Sequence, residues 1–172
     1  MGCVDSMSSL EVRGLVETTK KSTRINETRR GGFGWVARDF AGIFKGAGGV
    51  GNICCESSFM AEAEAVRAAL VACVERGFGF VQIETDSKVL VDILTCVSLP
   101  EAAMEGVLWD IHHLKLQLCS VKFLFTPCSC NGVAHLVTTH VTRVGGCHMW
   151  DYFEPEWLFN ALAFDVNISI RI

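Results

Sequence analysis

The sequence lacks any long, uninterrupted hydrophobic stretch. Half of its 172 residues are hydrophobic, but the longest apolar runs, such as Ala68–Val74, are short. A membrane-spanning helix needs about 20 consecutive apolar residues. No secretory signal peptide is visible at the N-terminus either. We therefore expect a protein without a transmembrane segment that is intracellular, in the cytoplasm or the nucleus.

The sequence also lacks paired cysteine motifs. Its nine cysteines are scattered, and no two Cys-x-x-Cys pairs occur at the spacing of a structural zinc site. Intracellular proteins keep their thiols reduced, and a chain of this length can bury a core without disulfides. We interpret the cysteines as reduced thiols.

An overall excess of positive charge is missing as well. The formal net charge is −4, which argues against tight non-specific binding of nucleic acid by the whole surface. One polar segment, 20–31, is densely basic and is the best candidate for contacts with phosphates. Its candidate nucleic-acid-binding residues are Lys20, Lys21, Arg24, Arg29 and Arg30. A solvated loop without a ligand is the alternative.

The chain does contain a regular series of strand and helix patterns. Strands are predicted at 10–18, 32–38, 43–48, 80–84 and 121–125, and helices at 59–76, 88–94, 105–119 and 132–144. The order β-β-β-α-β-α-α-β-α indicates an α/β fold, a mixed five-stranded sheet with helices on both faces. A glycine-rich loop is expected after the third strand, up to residue 55.

The length fits one domain, which we expect to be a monomer. We predict a flexible tail over 1–9, a folded domain over 10–148, and an apolar segment over 149–172 that packs on the domain. The first six residues also fit the pattern for N-terminal acylation, with Gly2 and Cys3 as the two sites. A chance match to this permissive pattern is the alternative.

The stretch 59–94 carries the strongest chemical signal. Glu62 lies in the predicted first turn of a helix, and Asp86 lies just beyond the carboxyl end of a buried strand. In open α/β sheets, ligands bind at that end of the strands. Carboxylates from a helix start and a strand end could therefore share a divalent cation.

Both acids also have structural interpretations. Glu62 would stabilise a helix N-terminus through the macrodipole, and its neighbour Glu64 could do the same in solvent. Asp86 and Ser87 are good N-cap residues for the helix that follows. From these residues alone, both interpretations stay open.

Four segments in order resemble the ribonuclease H-like domain of plant non-LTR retroelements and their domesticated relatives. They are GFGWVARDFAG (32–42), MAEAEAVRAAL (60–70), VQIETDSKVLVDIL (81–94) and VKFLFTPCSCNGVAHLV (121–137). The C-terminal Pro155-Glu156-Trp157-Leu158 is also similar to the end of such domains. The resemblance implies the ribonuclease H fold.

The resemblance also implies a chemistry. Ribonucleases H cut the RNA strand of an RNA–DNA hybrid with two divalent ions, Mg²⁺ or Mn²⁺, held by four acids. Glu62 matches the family's helix acid, and Asp86 matches the acid after the fourth strand. RNA–DNA hybrid is accordingly the expected partner, and Asn131 is an expected contact to it.

The other two acids of the family are altered. The first should lie on strand one in a segment such as Val-Asp-Gly-Ala, and its nearest counterpart here is Glu17, one methylene longer. The last is replaced by His135, a poor ligand for magnesium. The family's Arg before this motif is Cys128. Glu84 could join the acidic site or remain a charge at its rim.

Three functional hypotheses follow. The first is an RNA–DNA hybrid endoribonuclease, impaired by the changes at Glu17 and His135. The second is an inactive ribonuclease H-fold module that binds hybrid or double-stranded RNA. The third is a zinc site within the Cys- and His-rich region 128–148, although its spacing lacks paired knuckles.

Overall fold

The computed structural model describes residues 9–19, 30–54, 57–100, 102–151 and 153–168. Side chains are described for residues 30–54, 57–100, 102–151 and 153–163. The elements follow the order β-β-β-α-β-α-α-β-α-β-α. The first nine agree with the predicted order, and the predicted α/β fold class is confirmed.

The described chain forms six strands and five α-helices. The strands are β1 (Ser9–Thr19), β2 (Arg30–Asp39), β3 (Phe44–Cys54), β4 (Phe80–Thr85), β5 (Ser120–Phe125) and β6 (Gly146–Asp151). The helices are α1 (Ser58–Glu75), α2 (Lys88–Leu94), α3 (Glu105–Leu116), α4 (Gly132–Val144) and α5 (Glu156–Ile168). Within the described ranges, no helix is both long and apolar enough to cross a membrane.

The strands form one mixed sheet in the order β5-β4-β1-β2-β3-β6. The pairs β1–β2, β2–β3 and β3–β6 are antiparallel, whereas β1–β4 and β4–β5 are parallel. The carboxyl ends of β1, β4 and β5 therefore meet at one edge of the sheet, where an α/β fold forms its crevice.

Helices cover both faces of the sheet, as predicted. Successive side chains of a strand point to opposite faces, and in β2 the neighbours Trp35 and Val36 enter two different cores. Trp35 packs with residues of α1, α2 and α3. Val36 packs with residues of α4 and α5. The sheet thus separates a larger core from a smaller one.

On the smaller-core face, α4 lies very close to the sheet. A Cβ added to Gly51 would be 1.7 Å from the carbonyl oxygen of Val141, and one added to Gly34 would be 2.9 Å from the Thr138 backbone nitrogen. Only glycine allows such an approach between a strand and a helix backbone. β3 continues to Cys54 and pairs with β2 over this stretch, although the sequence predicted a loop after residue 48.

The C-terminal region adds a strand and a helix that were not predicted. β6 pairs with β3 and extends the sheet from five strands to six. A boundary at residue 148 would therefore cut through β6. Leu158 of α5 is fully buried in the smaller core, so α5 docks on the sheet through its apolar side.

Aromatic rings connect α4, β6 and α5. The ring of His140 stacks on Trp157 with centroids 4.3 Å apart and 6° between the planes. Trp150 contacts the edges of both His140 and Trp157, at 5.7 and 5.5 Å. His148 stacks on Trp150 at 5.7 Å. This group of four rings, the aromatic cluster, fastens α5 to the end of the sheet.

Candidate active site

Glu62 lies in the second turn of α1. The helix begins at Ser58, one residue earlier than expected, because the Ser57 hydroxyl caps it by accepting a hydrogen bond from Met60 N at 3.1 Å. The first turn of α1 contains no acid. The predicted position of Glu62 in the first turn is therefore wrong, and the macrodipole interpretation loses its main support.

Asp86 lies between β4 and α2, as predicted, but it does not cap the helix. The N-cap of α2 is Ser87, whose hydroxyl accepts a hydrogen bond from Leu90 N at 3.4 Å. The carboxylate of Asp86 is half-buried at the carboxyl end of β4. The capping role belongs to Ser87, which leaves the Asp86 carboxylate available for another role.

The structure brings Glu62, Asp86 and Ser87 together. Ser87 donates a hydrogen bond to the Glu62 carboxylate, and the charge of Asp86 is close enough to repel that of Glu62. Burial is the main cause that raises the pKa of Glu62 above its usual range, and this repulsion adds to it. A cation bound between the two carboxylates would relieve the repulsion.

Cys128 provides a second hydrogen bond to this site. Burial raises the pKa of Asp86, and the hydrogen bonds that its carboxylate accepts from its own backbone N–H and from the Cys128 thiol offset this only in part. The pKa of the Cys128 thiol is raised as well, by burial and by the negative charge of Asp86. Cys128 is thus a neutral donor beside the carboxylate.

Glu62 and Glu64, two half-buried acids of α1, differ in their charged partners. Glu64 forms an ion pair with Arg67 at 2.7 Å, and Arg67 also reaches Asp110 of α3 at 3.5 Å. Glu62 makes no ion pair within the described part of the chain. A half-buried carboxylate without a cationic partner is the arrangement expected of a cation ligand.

Glu84 belongs to a separate hydrogen-bond network. Its carboxylate accepts hydrogen bonds from Gln82 Nε2 and Thr126 Oγ1, both at 3.1 Å. The residue is buried, with 9% of its surface exposed. These partners satisfy Glu84 within the sheet, so it does not behave as an exposed charge at the rim of the site.

The strand register locates Glu17 relative to Asp86. Gly14 of β1 pairs with Thr85, the last residue of β4, and Arg13 pairs with Glu84. Glu17 is three residues further along β1, or about 10 Å at a rise of about 3.3 Å per residue, and pairs with Gly32 of β2. The β1 residues beside the end of β4 are therefore Arg13 and Gly14, in the segment Val12-Arg13-Gly14.

His135 and Asn131 lie at the start of α4. His135 is exposed in the first turn of the helix, and its backbone N–H bonds to the Asn131 carbonyl oxygen at 3.1 Å. Asn131 is fully buried. A bound nucleic acid could not touch the Asn131 side chain unless the loop rearranged, which is a correction to its predicted role as a contact residue.

Most of the predicted basic and acylation sites lie outside the described residues. These are Lys20, Lys21, Arg24, Arg29, Gly2 and Cys3, and the side chain of Glu17 is likewise outside. Arg30 is described: it is exposed at the start of β2 and donates to Asn52 Oδ1 at 2.7 Å. The basic segment therefore joins the sheet at β2, on the strand that pairs with Glu17.

Glu62 and Asp86 are the two carboxylates that the described structure brings together at the end of β4. Nowhere in the described ranges do three His, Cys, Asp or Glu side chains group together so that they could hold a metal ion. This gives no support to a zinc site within 128–148. Mg²⁺ is often held by one or two carboxylates together with substrate phosphates, and Glu62 and Asp86 fit that arrangement.

Comparison with solved structures identifies the fold. RNase H1 from the halophilic archaeon Halobacterium salinarum has 20% identity and a TM-score of 0.65, over 78% of this chain and 99% of that one. LC11-RNase H1 in complex with RNA/DNA hybrid has 19% identity and a TM-score of 0.66, over 79% and 98%. The foamy viral protease–reverse transcriptase in complex with RNA/DNA hybrid has 14% identity and a TM-score of 0.64, over 80% and 20%. The chain has the ribonuclease H fold.

The sequence also matches the family described as reverse transcriptase-like, over residues 19–141. This match spans most of the chain, which therefore belongs to the reverse transcriptase-like family. None of the proteins with curated descriptions matches the sequence. The predicted resemblance to ribonuclease H-like domains is confirmed, whereas its narrower assignment to plant retroelements stays a prediction.

Proposed function

We propose that this protein binds RNA–DNA hybrid and cuts the RNA strand weakly, with Glu62 and Asp86 as its principal catalytic residues. The observation that carries this proposal is the pair of half-buried carboxylates, one from α1 and one from the end of β4, that repel each other across the candidate site. Two similar structures hold RNA/DNA hybrid, which supports the choice of substrate.

Glu62 and Asp86 would hold the divalent ion, with phosphate oxygens of the substrate completing its ligands. A bound Mg²⁺ or Mn²⁺ would neutralise charge on the scissile phosphate and lower the pKa of an attacking water. Ser87 holds the Glu62 carboxylate and Cys128 holds that of Asp86, so both ligands are oriented before a substrate arrives.

Cleavage is proposed to be weak because of the composition of β1. The resemblance implies an acid on strand one that shares the metal site with the acid after strand four, and that should therefore lie near the end of β4. Here that register position holds Arg13 and Gly14, and Glu17 is displaced along the strand. A positive residue in place of a carboxylate would oppose binding of a second cation.

The first test is cleavage of a labelled RNA–DNA hybrid in Mg²⁺ and in Mn²⁺. Asp86→Asn removes a charged ligand while keeping the shape of the side chain, and it should lower the rate by about 10²–10³-fold. Asp92→Asn is the matched control, because Asp92 pairs with Lys88 on the surface of α2. Equal rates in the wild type and Asp86→Asn would refute the assignment.

A gain-of-function variant tests the role of β1 directly. If Arg13 occupies the position of the missing acid, Arg13→Asp should raise the cleavage rate, whereas Glu17→Gln should leave it nearly unchanged. If instead Glu17 supplies the third carboxylate, Glu17→Gln should lower the rate as strongly as Asp86→Asn. The two variants thus distinguish Arg13, which the strand register places at the position of the missing acid, from Glu17, which the sequence suggested for it.

The register of β1 also favours a second candidate, an inactive module that binds hybrid or double-stranded RNA. Fluorescence anisotropy with hybrid, double-stranded RNA and double-stranded DNA of equal length distinguishes the two. Hybrid binding without cleavage in either metal, unaffected by Asp86→Asn, would establish the binding module. Failure to bind any of the three would contradict both candidates.

A further inference from the structure

A cavity of about 360 Å³ opens between α2, the loop 95–100, α3 and β5, among residues that the candidate active site does not use. Its walls are mainly apolar, and they include Leu94, Leu108, Ile111 and Phe123. Small-molecule sites commonly have volumes of about 300–1,000 Å³ and apolar walls with a few polar groups. This cavity meets both conditions.

The polar group that distinguishes the cavity is Lys115. Its Nζ lies over the Phe123 ring, 5.9 Å from the ring centroid, so the cation sits at an apolar wall. Lys115 forms no ion pair within the described part of the chain. His112, one helical turn earlier on α3, also lines the cavity. A cation without an acidic partner beside an apolar wall is complementary to a ligand with an apolar body and an anionic head.

The rim of the cavity is fixed by backbone hydrogen bonds. After α2, Cys96 N donates to Ile93 O at 3.0 Å, and Val97 N donates to Asp92 O at 2.7 Å. This is the hydrogen-bond pattern of a Schellman cap, whose left-handed position is usually glycine. Here it is Cys96, with φ of 62°, and its side chain lines the cavity. The rim is therefore held in place before any ligand arrives.

We propose that this cavity binds a small amphipathic carboxylate, with its apolar tail among Leu94, Leu108 and Ile111 and its carboxylate on Lys115 Nζ. The tail would remove apolar wall from water, and the carboxylate would pair with a cation that has no acidic partner among the described residues. The ligand class is separate from nucleic acid, and so is the site.

Isothermal titration calorimetry with decanoate tests the proposal on the full-length protein. We expect saturable one-to-one binding, and Lys115→Met should weaken it at least about tenfold while Lys115→Arg retains most of it. Lys122→Met is the matched control, because Lys122 precedes Phe123 on β5, points to the opposite face, and contributes the same charge. No binding by the wild type, or equal weakening by both Met variants, would overturn the proposal.

A chemical measurement locates the ligand. Decanoate should slow the alkylation of Cys96 by iodoacetamide, measured by peptide mass spectrometry, while exposed Cys119 outside the cavity reacts at an unchanged rate. Ser98→Phe, which adds a ring at the rim, should reduce decanoate binding in the same assay. Binding that protects neither cysteine, or both equally, would place the ligand elsewhere and refute the site.

Discussion

The two faces of the sheet are packed in opposite ways. The face toward α1 and α3 is filled by large side chains, among which Trp35, Leu70, Ile83 and Ile111 are essentially inaccessible to solvent. On the face toward α4, Gly34 and Gly51 have no side chains, and this lets the helix backbone approach the strands. The packing of the α1 face therefore depends on large side chains that fill the core, whereas the packing of the α4 face depends on strand positions without a side chain.

The same sheet should therefore respond to mutation in two ways. On the α1 face, removing atoms should destabilise the protein because a cavity is left. On the α4 face, adding atoms should destabilise it because backbones are forced apart. Substitutions on each face, and one in the aromatic cluster at the C-terminal helix, can test this difference.

The largest effect is expected for Leu70→Ala on the α1 face. Leu70 is fully buried in the larger core, and such truncations cost about 2–5 kcal/mol of the free energy of unfolding. Urea denaturation followed by circular dichroism measures this loss. A cost below about 1 kcal/mol would show that this core can collapse around the change, which would weaken the contrast between the faces.

Gly51→Ala should cost about 1–3 kcal/mol, because one added methyl group meets the Val141 carbonyl at 1.7 Å. The matched control is Gly106→Ala in α3, where an added Cβ has nothing within 4 Å. That control should instead stabilise the protein by about 0.5–1 kcal/mol through helix propensity. If both substitutions stabilise, α4 does not lie as close to the sheet as described.

The smallest effect is a pH dependence at the aromatic cluster. Burial, with the positive charges of Arg143 and His148, lowers the pKa of His140 below its usual value. The unfolded chain therefore takes up this proton first, so His140 contributes a loss of stability as pH falls from about 6.5 toward its lower folded pKa. The His140 ring concerned is the one that stacks on Trp157.

Thermal unfolding at pH 7 and pH 5 measures this effect against His140→Phe, which keeps an aromatic ring but cannot be protonated. The variant should lose less stability between the two pH values than the wild type. An equal loss in both proteins would show that groups other than His140 carry the pH dependence.

Much of the fold could be predicted because the helices and strands that pack on the α1 face have a regular pattern of apolar side chains. The apolar positions of α1, and Val81 and Ile83 in β4, repeat with the periods of a helix and a strand, and they are buried. Glycine has no side chain, so it adds nothing to such a pattern. The second half of β3 was therefore predicted as a loop, although its glycines are where α4 comes closest.

The candidate site was predictable only in part. Glu62 and Asp86 could be proposed because helix starts and strand ends are recognisable in a sequence. The roles of Ser87 and Cys128 as hydrogen-bond donors to these carboxylates depend on tertiary contacts that no local pattern encodes. The register of β1 depends on β4, far later in the chain, so the position of Glu17 relative to Asp86 could not be derived from the sequence.

The pairing of β3 with β6 can form only late in the synthesis of the chain. It joins residues 46–51 to residues 146–151, so β3 remains an open edge until about 100 further residues have been made. At about 5–20 residues per second, that interval lasts about 5–20 s. An open strand edge is a template for pairing with other chains. Any pause of the ribosome before residue 146 should therefore increase aggregation of the nascent protein.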